Sequence, residues 1–385
     1  MASISKLRCA LLVGVLVVAG APAWADVTVG LVMSMTGPVS SIGLPYMKGF
    51  AAALAGTSEV AGQRIKVLQI DDRSDPSAAA QAGKKLIEDD KVDVLVGSAG
   101  SPTSLALYSV AAEAKVPLIV GGNVAVDGER GAWEITIPQP SALMIEAVAE
   151  HMQAHGIRTV GFIGFNDAWG DIVYDGLKVN AAPRDIRIID DERYARTDTS
   201  VTPQTLKLIA AHPDAIMTGG SGAPAALPHL ALAERGWRGP VYSSHAIINN
   251  DFLQVAGASA EGVVAPTGPL VVADQLPDGN PIKAAVMEFR RLYQKANGDA
   301  AANPFAGYAY DSFLVLFDAA RRAIGAGGKP GTPEFHQAMR DALVTTREVV
   351  GTQAIYTFTP GSRFGADARA RVLVTLHDGK WQLIK

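Results

Sequence analysis

The segment VGSAGSPTS, residues 96–104, combines glycines and hydroxyl side chains directly after the apolar run VDVLV. A loop of this composition at a strand end suits three tasks: cradling a phosphate, presenting a nucleophilic serine, or capturing another anion at a helix start. The segment lacks the Lys-Ser or Lys-Thr pair of a P-loop, and its glycines do not have the G-x-G-x-x-G spacing. We therefore do not expect nucleotide binding.

Two other motifs raise catalysis and metal binding as alternatives. GGSGA, residues 219–223, is the nearest match to the hydrolase motif G-x-S-x-G, but it ends in alanine, and nothing marks an acid partner or an oxyanion hole. His151 and His155 stand four residues apart on a predicted helix, without the H-E-x-x-H pattern or a third ligand. A solvated helix face explains this pair more simply. We predict no enzyme activity, no metal and no cofactor.

Anion capture is the remaining interpretation of residues 96–104. The unpaired N–H groups at a helix N-terminus suit a carboxylate as well as a phosphate. We predict that Thr103 and Ser104 cap this helix, since hydroxyl side chains are favoured there. Ser101, slightly earlier in the loop, is then free to face a ligand.

Composition narrows the class of protein. The chain has 385 residues, 48% of them hydrophobic and 19% charged, which is enough for about two domains of ordinary size. Its formal charge is −4 and it has no basic block, so we expect no nucleic-acid partner. The single cysteine, Cys9, precedes the predicted mature chain, which excludes disulfides and cysteine–zinc sites there.

Residues 1–25 have the features of a signal peptide. Lys6 and Arg8 precede an apolar stretch at 11–19, and the A-x-A pattern of Ala23 and Ala25 predicts cleavage before Asp26. The apolar stretch is shorter than the roughly 20 residues needed to span a bilayer. We therefore expect an exported, soluble protein.

Strands and helices alternate from residue 27 onward. Short apolar strands separated by alanine-rich helices predict parallel sheets covered on both faces; the predicted strands are 27–33, 64–70, 92–96 and 116–120. The alternation restarts after the prolines of WEITIPQP, with strands at 158–164, 186–190, 214–218 and 241–244. We predict an α/β fold of two doubly wound parallel-sheet lobes. Ligands in such folds bind at the carboxyl ends of the strands, here facing an interlobe cleft.

The order of these motifs resembles a known family. The motifs are VTVGLVMSMTGPVSSIGLPYMKGFAAAL, IDDRSDPSAAAQAGKKLI, VDVLVGSAGSPTSLA, VPLIVGGN, GFIGFNDAWG, AIMTGGSGA, GYAYDS and the closing GKWQLIK. They resemble the periplasmic solute-binding proteins of the leucine/isoleucine/valine-binding type (type I periplasmic binding proteins), over essentially the whole mature chain. The resemblance implies a monomer in the periplasm that delivers a captured small molecule to the membrane permease subunits of an ABC importer.

The same resemblance implies how the lobes divide and how they join. It assigns 26–137 and about 266–348 to the N-terminal lobe, and 138–265 and about 349–385 to the C-terminal lobe. The two lobes would then be joined by a three-segment hinge.

The resemblance also implies a ligand site. The family's carboxylate-binding serine falls on Ser101, beside Thr103, and the next first-lobe contact falls on Gly121, Gly122 and Asn123. Amino-acid binders usually have a threonine near Asn123. The aromatic residue that closes over the ligand falls on Trp169, which offers a stacking face.

Several positions depart from the amino-acid binders. The aromatic residue of the first loop is replaced by Ile42, next to Ser41, and a tyrosine is replaced by Ser221. The acidic residue that pairs with a ligand's ammonium falls on His245. A buried ammonium without a carboxylate partner costs on the order of several kcal/mol.

We therefore expect a carboxylate ligand without an amine. Trp169 and an apolar wall at Phe305 favour an aromatic or 2-oxo acid, which His245 would contact at a keto, hydroxyl or second acidic group. Three alternatives stay open. They are a branched-chain or other amino-acid binder, a ligand sensor for a signalling receptor, and a hydrolase centred on Ser221.

Overall fold

The computed structural model describes residues 26–124, 132–298 and 303–384. The predicted signal peptide, residues 1–25, lies outside the described residues. Within the described ranges, no helix has the length and apolarity required to cross a membrane.

Helices and strands alternate along the chain, as the hydrophobic pattern predicts. The helices are α1 Ser40–Gly56, α2 Pro76–Glu88, α3 Ser101–Ala114, α4 Ser141–Ala154, α5 Ala168–Ala181, α6 Thr202–Ala210, α7 Ala226–Glu234, α8 Asn250–Ala256, α9 Pro281–Asn297, α10 Pro304–Gly325 and α11 Pro333–Val344. The strands are β1 Val27–Met33, β2 Glu59–Val60, β3 Gln63–Asp71, β4 Val94–Gly97, β5 Leu118–Val120, β6 Glu134–Thr136, β7 Thr159–Phe165, β8 Arg187–Tyr194, β9 Ala215–Gly219, β10 Val241–Ser243, β11 Val264–Thr267, β12 Val349–Val350, β13 Ile355–Tyr356, β14 Val372–His377 and β15 Lys380–Leu383.

Each lobe is built on one sheet. The first has the strand order β2-β3-β1-β4-β5-β6 and the second the order β15-β14-β11-β10-β9-β7-β8. The inner strands are parallel; β1, for example, pairs in parallel with both β3 and β4. The α/β class with doubly wound lobes is confirmed, although the sheets are mixed because β2, β14 and β15 join their edges in antiparallel orientation.

Local sequence signals set some helix starts and misplace others. The order Asp75-Pro76 predicts a helix cap followed by a proline at the first helical position. The structure confirms this, since the Asp75 carboxylate accepts a hydrogen bond from Ala78 N at 2.7 Å and Pro76 begins α2. The loop-like composition of SMTGPVSSIG predicts that the first helix begins near Pro45. This is wrong, because α1 starts at Ser40 and continues through the proline.

The predicted caps of α3 are also wrong. The helix begins at Ser101 after Gly100, with Pro102 at its second position. Ser101 is therefore the first helical residue rather than part of the preceding loop.

The last crossing between the lobes follows Phe364. Tyr356 and Phe358 are buried in the core of the first lobe, and Phe364 forms a parallel bridge to Thr136 of β6. The chain then enters the second sheet at β14. The expected division at about 349 therefore assigned residues 349–364 to the other lobe. Their short apolar runs fit either sheet by pattern alone.

All three crossings meet at Gln139, which is fully buried in the first crossing. Its Nε2 donates hydrogen bonds to Ala370 O at 2.9 Å and Gln353 O at 3.2 Å, on and near the third crossing. Gly268 of the second crossing packs so closely that an added Cβ would lie 2.8 Å from Gln139 Nε2. Tyr308 completes the cluster by donating its hydroxyl proton to Gln139 Oε1 at 2.5 Å.

Candidate functional site

A cavity lies between the two lobes and encloses about 370 Å³ of empty space, part of which is open to solvent. The cavity is lined by residues of both lobes: Ile42, Tyr46, Ala99, Gly100, Ser101, Gly121, Gly122, Asn123, Pro138, Trp169, Arg196, Ser221, His245, Ala246, Phe305 and Tyr308. Most of them follow strand ends, where doubly wound folds bind ligands.

The structure brings most of the predicted site residues together around this cavity. They are Ile42, Ser101, Gly121, Gly122, Asn123, Trp169, Ser221, His245 and Phe305. Ser41 and Thr103 are not among the lining residues. That any of these side chains contacts a ligand stays a prediction.

Ser41 and Thr103 make contacts within the protein instead. Ser41 Oγ accepts a hydrogen bond from Ala223 N at 3.1 Å, which joins the first lobe directly to the second. Thr103 Oγ1 lies 2.9 Å from Gly100 O and 3.0 Å from Ser98 Oγ, so its hydroxyl is engaged at the base of α3. These contacts place Ser41 in the interlobe junction and Thr103 in the framework of the helix start.

The first-lobe end of the cavity is formed by the start of α3. Ser101 is buried at the first helical position, where backbone N–H groups have no partner within the helix. The unpaired N–H groups and the positive end of the helix dipole both favour an anion at this part of the cavity. Tyr46 holds the neighbouring loop in place by donating its hydroxyl proton to Gly121 O at 2.5 Å.

The aromatic wall of the second lobe is held rigidly. Asp167 Oδ1 caps α5 by accepting a hydrogen bond from Trp169 N at 2.9 Å, and the indole Nε1 donates to Gly220 O at 3.0 Å. Because the indole N–H is already bonded to the protein, Trp169 offers the cavity its apolar surface. The His245 ring stands edge-on to it, with centroids 5.4 Å apart and planes at 88°.

His245 is neutral in this site. Burial lowers the pKa of His245 from 6.5 to about 4, because the charged imidazolium would lose its hydration. Its Nδ1 is buried and has no hydrogen-bond partner among the described residues. A buried polar atom left unpaired is unfavourable, so a ligand atom is a natural partner for it.

Arg196 is a site residue that sequence reasoning missed. It is the one charged side chain among the described residues lining the cavity. Its Nε donates to Asp167 Oδ2 at 2.5 Å, its Nη1 donates to Ser221 Oγ at 2.8 Å, and its guanidinium lies 4.2 Å from the centroid of the Phe165 ring. A lone arginine in the run YARTDTS carries no motif. Its place in the segment that follows the predicted strand 186–190 was the available signal.

Tyr46 and Tyr308 were missed as well. Each lies on a helix one turn beyond a predicted lining residue, since Tyr46 follows Ile42 by four positions and Tyr308 follows Phe305 by three. Helical spacing from Ile42 and Phe305 was therefore a usable signal for both.

The geometry does not favour the hydrolase or metal alternatives. Ser221 Oγ bonds to Arg196, whereas His229, the nearest histidine along the chain, lies 3.3 Å from Thr218 Oγ1 through its Nε2. No histidine of the described chain is hydrogen-bonded to Ser221. His151 and His155 stack on each other with centroids 3.9 Å apart, and His151 Nδ1 lies 3.0 Å from the Tyr242 hydroxyl, away from the cavity lining.

Comparison with known proteins gives consistent matches along the chain. A protein family described as "Periplasmic binding protein" matches residues 26–372. A "Leu/Ile/Val-binding protein homolog 1" from Brucella suis biovar 1 (strain 1330) is 24% identical over 335 residues, which cover 84% of each chain. The crystal structure of an extracellular ligand-binding receptor from Rhodopseudomonas palustris HaA2 is 38% identical with a TM-score of 0.90, covering 94% of this chain and 100% of that one.

A more distant structure carries a ligand. It is a solute binding protein of an ABC transporter from R. palustris in complex with 4-hydroxybenzoate. It is 19% identical with a TM-score of 0.78, covering 94% of this chain and 95% of that one. At this identity the likeness shows a shared fold alone.

Proposed function

The chain belongs to the periplasmic binding protein family and is a non-enzymatic solute-binding protein of ABC transport, and we propose that its solute is a small organic carboxylate, either aromatic or a 2-oxo acid. In this proposal Ser101 and the adjacent backbone N–H groups hold the carboxylate. Trp169 stacks on the body of the ligand, and His245 contacts a polar group at its far end.

The charge of the cavity lining carries this proposal. Among the described lining residues there is one arginine and no aspartate or glutamate. The ammonium group of an amino acid would lose its hydration there without gaining a carboxylate partner, at a cost on the order of several kcal/mol. The neutral His245 does not replace that carboxylate. An aromatic acid is a ligand that this fold can hold, since a solved structure of the same fold contains 4-hydroxybenzoate.

Closure of the lobes would trap the ligand. The hydrogen bond between Ser41 Oγ and Ala223 N joins the lobes beside the cavity. We propose that ligand binding favours this closed arrangement over an open one by hinge motion at the three crossings. The closed protein would then deliver the ligand to the membrane permease subunits of an ABC importer.

A thermal-shift screen tests the ligand class. The protein would be heated with 4-hydroxybenzoate, phenylpyruvate, leucine or valine, each at the same concentration. A ligand present at about 100 times its Kd stabilises the folded state by roughly 2.7 kcal/mol, which is easily measured. We expect at least one of the acids to raise the Tm, and neither amino acid to do so. If leucine or valine raised the Tm while the acids had no effect, the charge argument would be wrong.

We further propose that residues 1–25 are removed on export and that the mature monomer acts in the periplasm. N-terminal sequencing of the protein from a periplasmic extract should begin at Asp26. Co-purification with permease subunits would support the importer role. Capture of a signalling receptor instead would favour the sensor alternative.

A further inference from the structure

Three polar side chains of the second lobe occupy equivalent positions at its sheet edge. Arg196 is the second residue after β8, Ser221 the second after β9, and His245 the second after β10. All three line the cavity. Because these strands are parallel and belong to one sheet, their carboxyl ends lie at one edge, which brings the three side chains to one end of the cavity.

The hydrogen bond from Arg196 determines the direction in which Ser221 donates. A guanidinium only donates, so in the 2.8 Å contact Ser221 Oγ is the acceptor. The hydroxyl proton of Ser221 must therefore point elsewhere, and Ser221 Oγ donates no hydrogen bond to another described residue. Since Ser221 lines the cavity, this proton is available to a ligand, and Ser221 acts as a donor.

Arg196 keeps donors of its own. Of its five N–H bonds, two are directed at Asp167, through Nε at 2.5 Å and Nη2 at 3.5 Å, and one at Ser221. One N–H on each terminal nitrogen is left. Asp167 compensates the charge of Arg196 from the side, so the arginine needs no second carboxylate to be stable there. It can therefore donate to a neutral oxygen as well as to an anion.

Both lobes thus contribute hydrogen-bond donors to the cavity, and its lining also includes aromatic side chains. The first lobe contributes Ser101 and the start of α3, and the second lobe contributes Arg196 and Ser221. The unpaired Nδ1 of the neutral His245 lies with this second group, and it donates when the ring proton is on Nδ1. Trp169 and Phe305 add aromatic surface to the same lining.

We propose that Arg196, Ser221 and His245 form a second subsite that binds an oxygen acceptor on the ligand, so that the solute is an aromatic acid with a phenolic, keto or carboxylate oxygen opposite its first carboxylate. This inference rests on the proposed function and narrows its ligand class. An acid with only one polar end would leave the Ser221 hydroxyl and the His245 Nδ1 buried without partners, which a ligand bearing the distal oxygen avoids.

Matched ligand pairs test the subsite. The probes are 3-(4-hydroxyphenyl)propanoate against 3-phenylpropanoate, and terephthalate against benzoate, measured by isothermal titration calorimetry with the full mature chain. The members of each pair differ in one distal oxygen group. In the wild type we expect the oxygen-bearing member of at least one pair to bind about tenfold or more tightly than its partner.

Substitutions then show which residues cause the preference for the ligand with the distal oxygen. Ser221→Ala should reduce the affinity ratio within a pair to about threefold or less. Arg196→Lys should reduce this ratio as well, because lysine keeps the charge beside Asp167 but lacks the planar set of N–H donors of the guanidinium. Ser101→Ala should weaken both members of a pair by a similar factor, because they share the first carboxylate. Ser109→Ala is the matched control, since Ser109 is an exposed serine on α3 that bonds only to Leu105 O. It should change neither affinity. Thermal melts of each variant without ligand check that the fold is kept.

The outcomes separate the subsite from the proposed function. If the wild type binds both members of every pair with equal affinity, the carboxylate proposal stands and the subsite is wrong. If Ser221→Ala weakens both members equally while Ser101→Ala weakens neither, the carboxylate lies at Arg196 and the two-ended site is wrong. If leucine binds and none of the four acids does, the proposed function fails, and the subsite fails with it.

Discussion

Glu134 should make the protein less stable as the pH rises. This residue lies on β6 beside the first crossing, with 2% of its surface exposed. Its Oε1 accepts a hydrogen bond from Thr136 Oγ1 at 2.5 Å, and Arg363 Nε lies 3.5 Å from its Oε2. These partners do not offset the loss of hydration, and burial raises the pKa of Glu134 from 4.5 to about 7. The native state therefore holds this proton more tightly than the unfolded chain does.

The sign and size of the effect follow from this difference. Between pH 4.5 and pH 7 the native state keeps the proton and the unfolded chain releases it, so the free energy of unfolding falls as the pH rises. The contribution is complete below pH 4.5 and is lost as the pH passes through about 7. A rise from 4.5 to about 7 corresponds to about 3 kcal/mol, at about 1.4 kcal/mol per pKa unit.

Glu134→Gln isolates this contribution because it keeps the shape of the side chain and cannot ionise. Urea unfolding of both proteins from pH 4 to pH 8 gives the free energy of unfolding at each pH. Relative to the variant, we expect the wild type to lose about 3 kcal/mol over this range. Contributions of His229 and His245, whose pKa values burial lowers to about 4, occur in both proteins and cancel. Glu113→Gln, at an exposed position of α3, should give a flat difference. A Glu134 difference that is flat or that rises with pH would refute this reasoning.

Three further predictions concern the cavity and the hinge. Trp169→Ala should weaken binding of the tightest acid from the thermal-shift screen by about 10- to 100-fold in calorimetry, while Trp169→Phe should keep most of the affinity, since it keeps an aromatic face. Ser41→Ala removes the hydrogen bond to Ala223 N, so the affinity should fall by up to about tenfold and small-angle scattering of the ligand-bound protein should show a larger radius of gyration. An unchanged affinity would mean that this contact does not favour closure. Gln139→Leu leaves Ala370 O and the Tyr308 hydroxyl without their partner, and should lower the free energy of unfolding in urea by about 2–4 kcal/mol. A loss below about 0.5 kcal/mol would show that the buried cluster does not stabilise the hinge.

Much of the fold could be predicted from local patterns. VTVGLVM is apolar at nearly every position, and the structure places it as β1 in the interior of a sheet, buried on both faces. Asp75 caps α2 and Pro76 occupies its first position, and both effects depend only on residues that are close together in the sequence. Where such short-range signals conflict with packing they mislead, as at Pro45, which lies inside α1 because the buried face of that helix extends on both sides of it.

The resemblance of the motifs identified many of the cavity residues before the structure was considered. The other cavity residues could be identified only in the folded chain. Ser101, Trp169 and His245 belong to recognisable segments, and the structure brings them to one cavity. Arg196 has no motif, and its importance depends on Asp167 and Ser221, which lie 29 and 25 residues away in the sequence.

The amino-acid sequence by itself therefore determined the alternation of strands and helices and the family. These features depend on hydrophobic periodicity and on contacts between near neighbours, which the order of residues expresses directly. The tertiary structure alone decided that Ser41 joins the lobes, that Arg196 lines the cavity and that Ser221 accepts a hydrogen bond from Arg196. Each of these depends on which strand ends meet at a sheet edge and on how the lobes close, and residues far apart in the chain set that geometry.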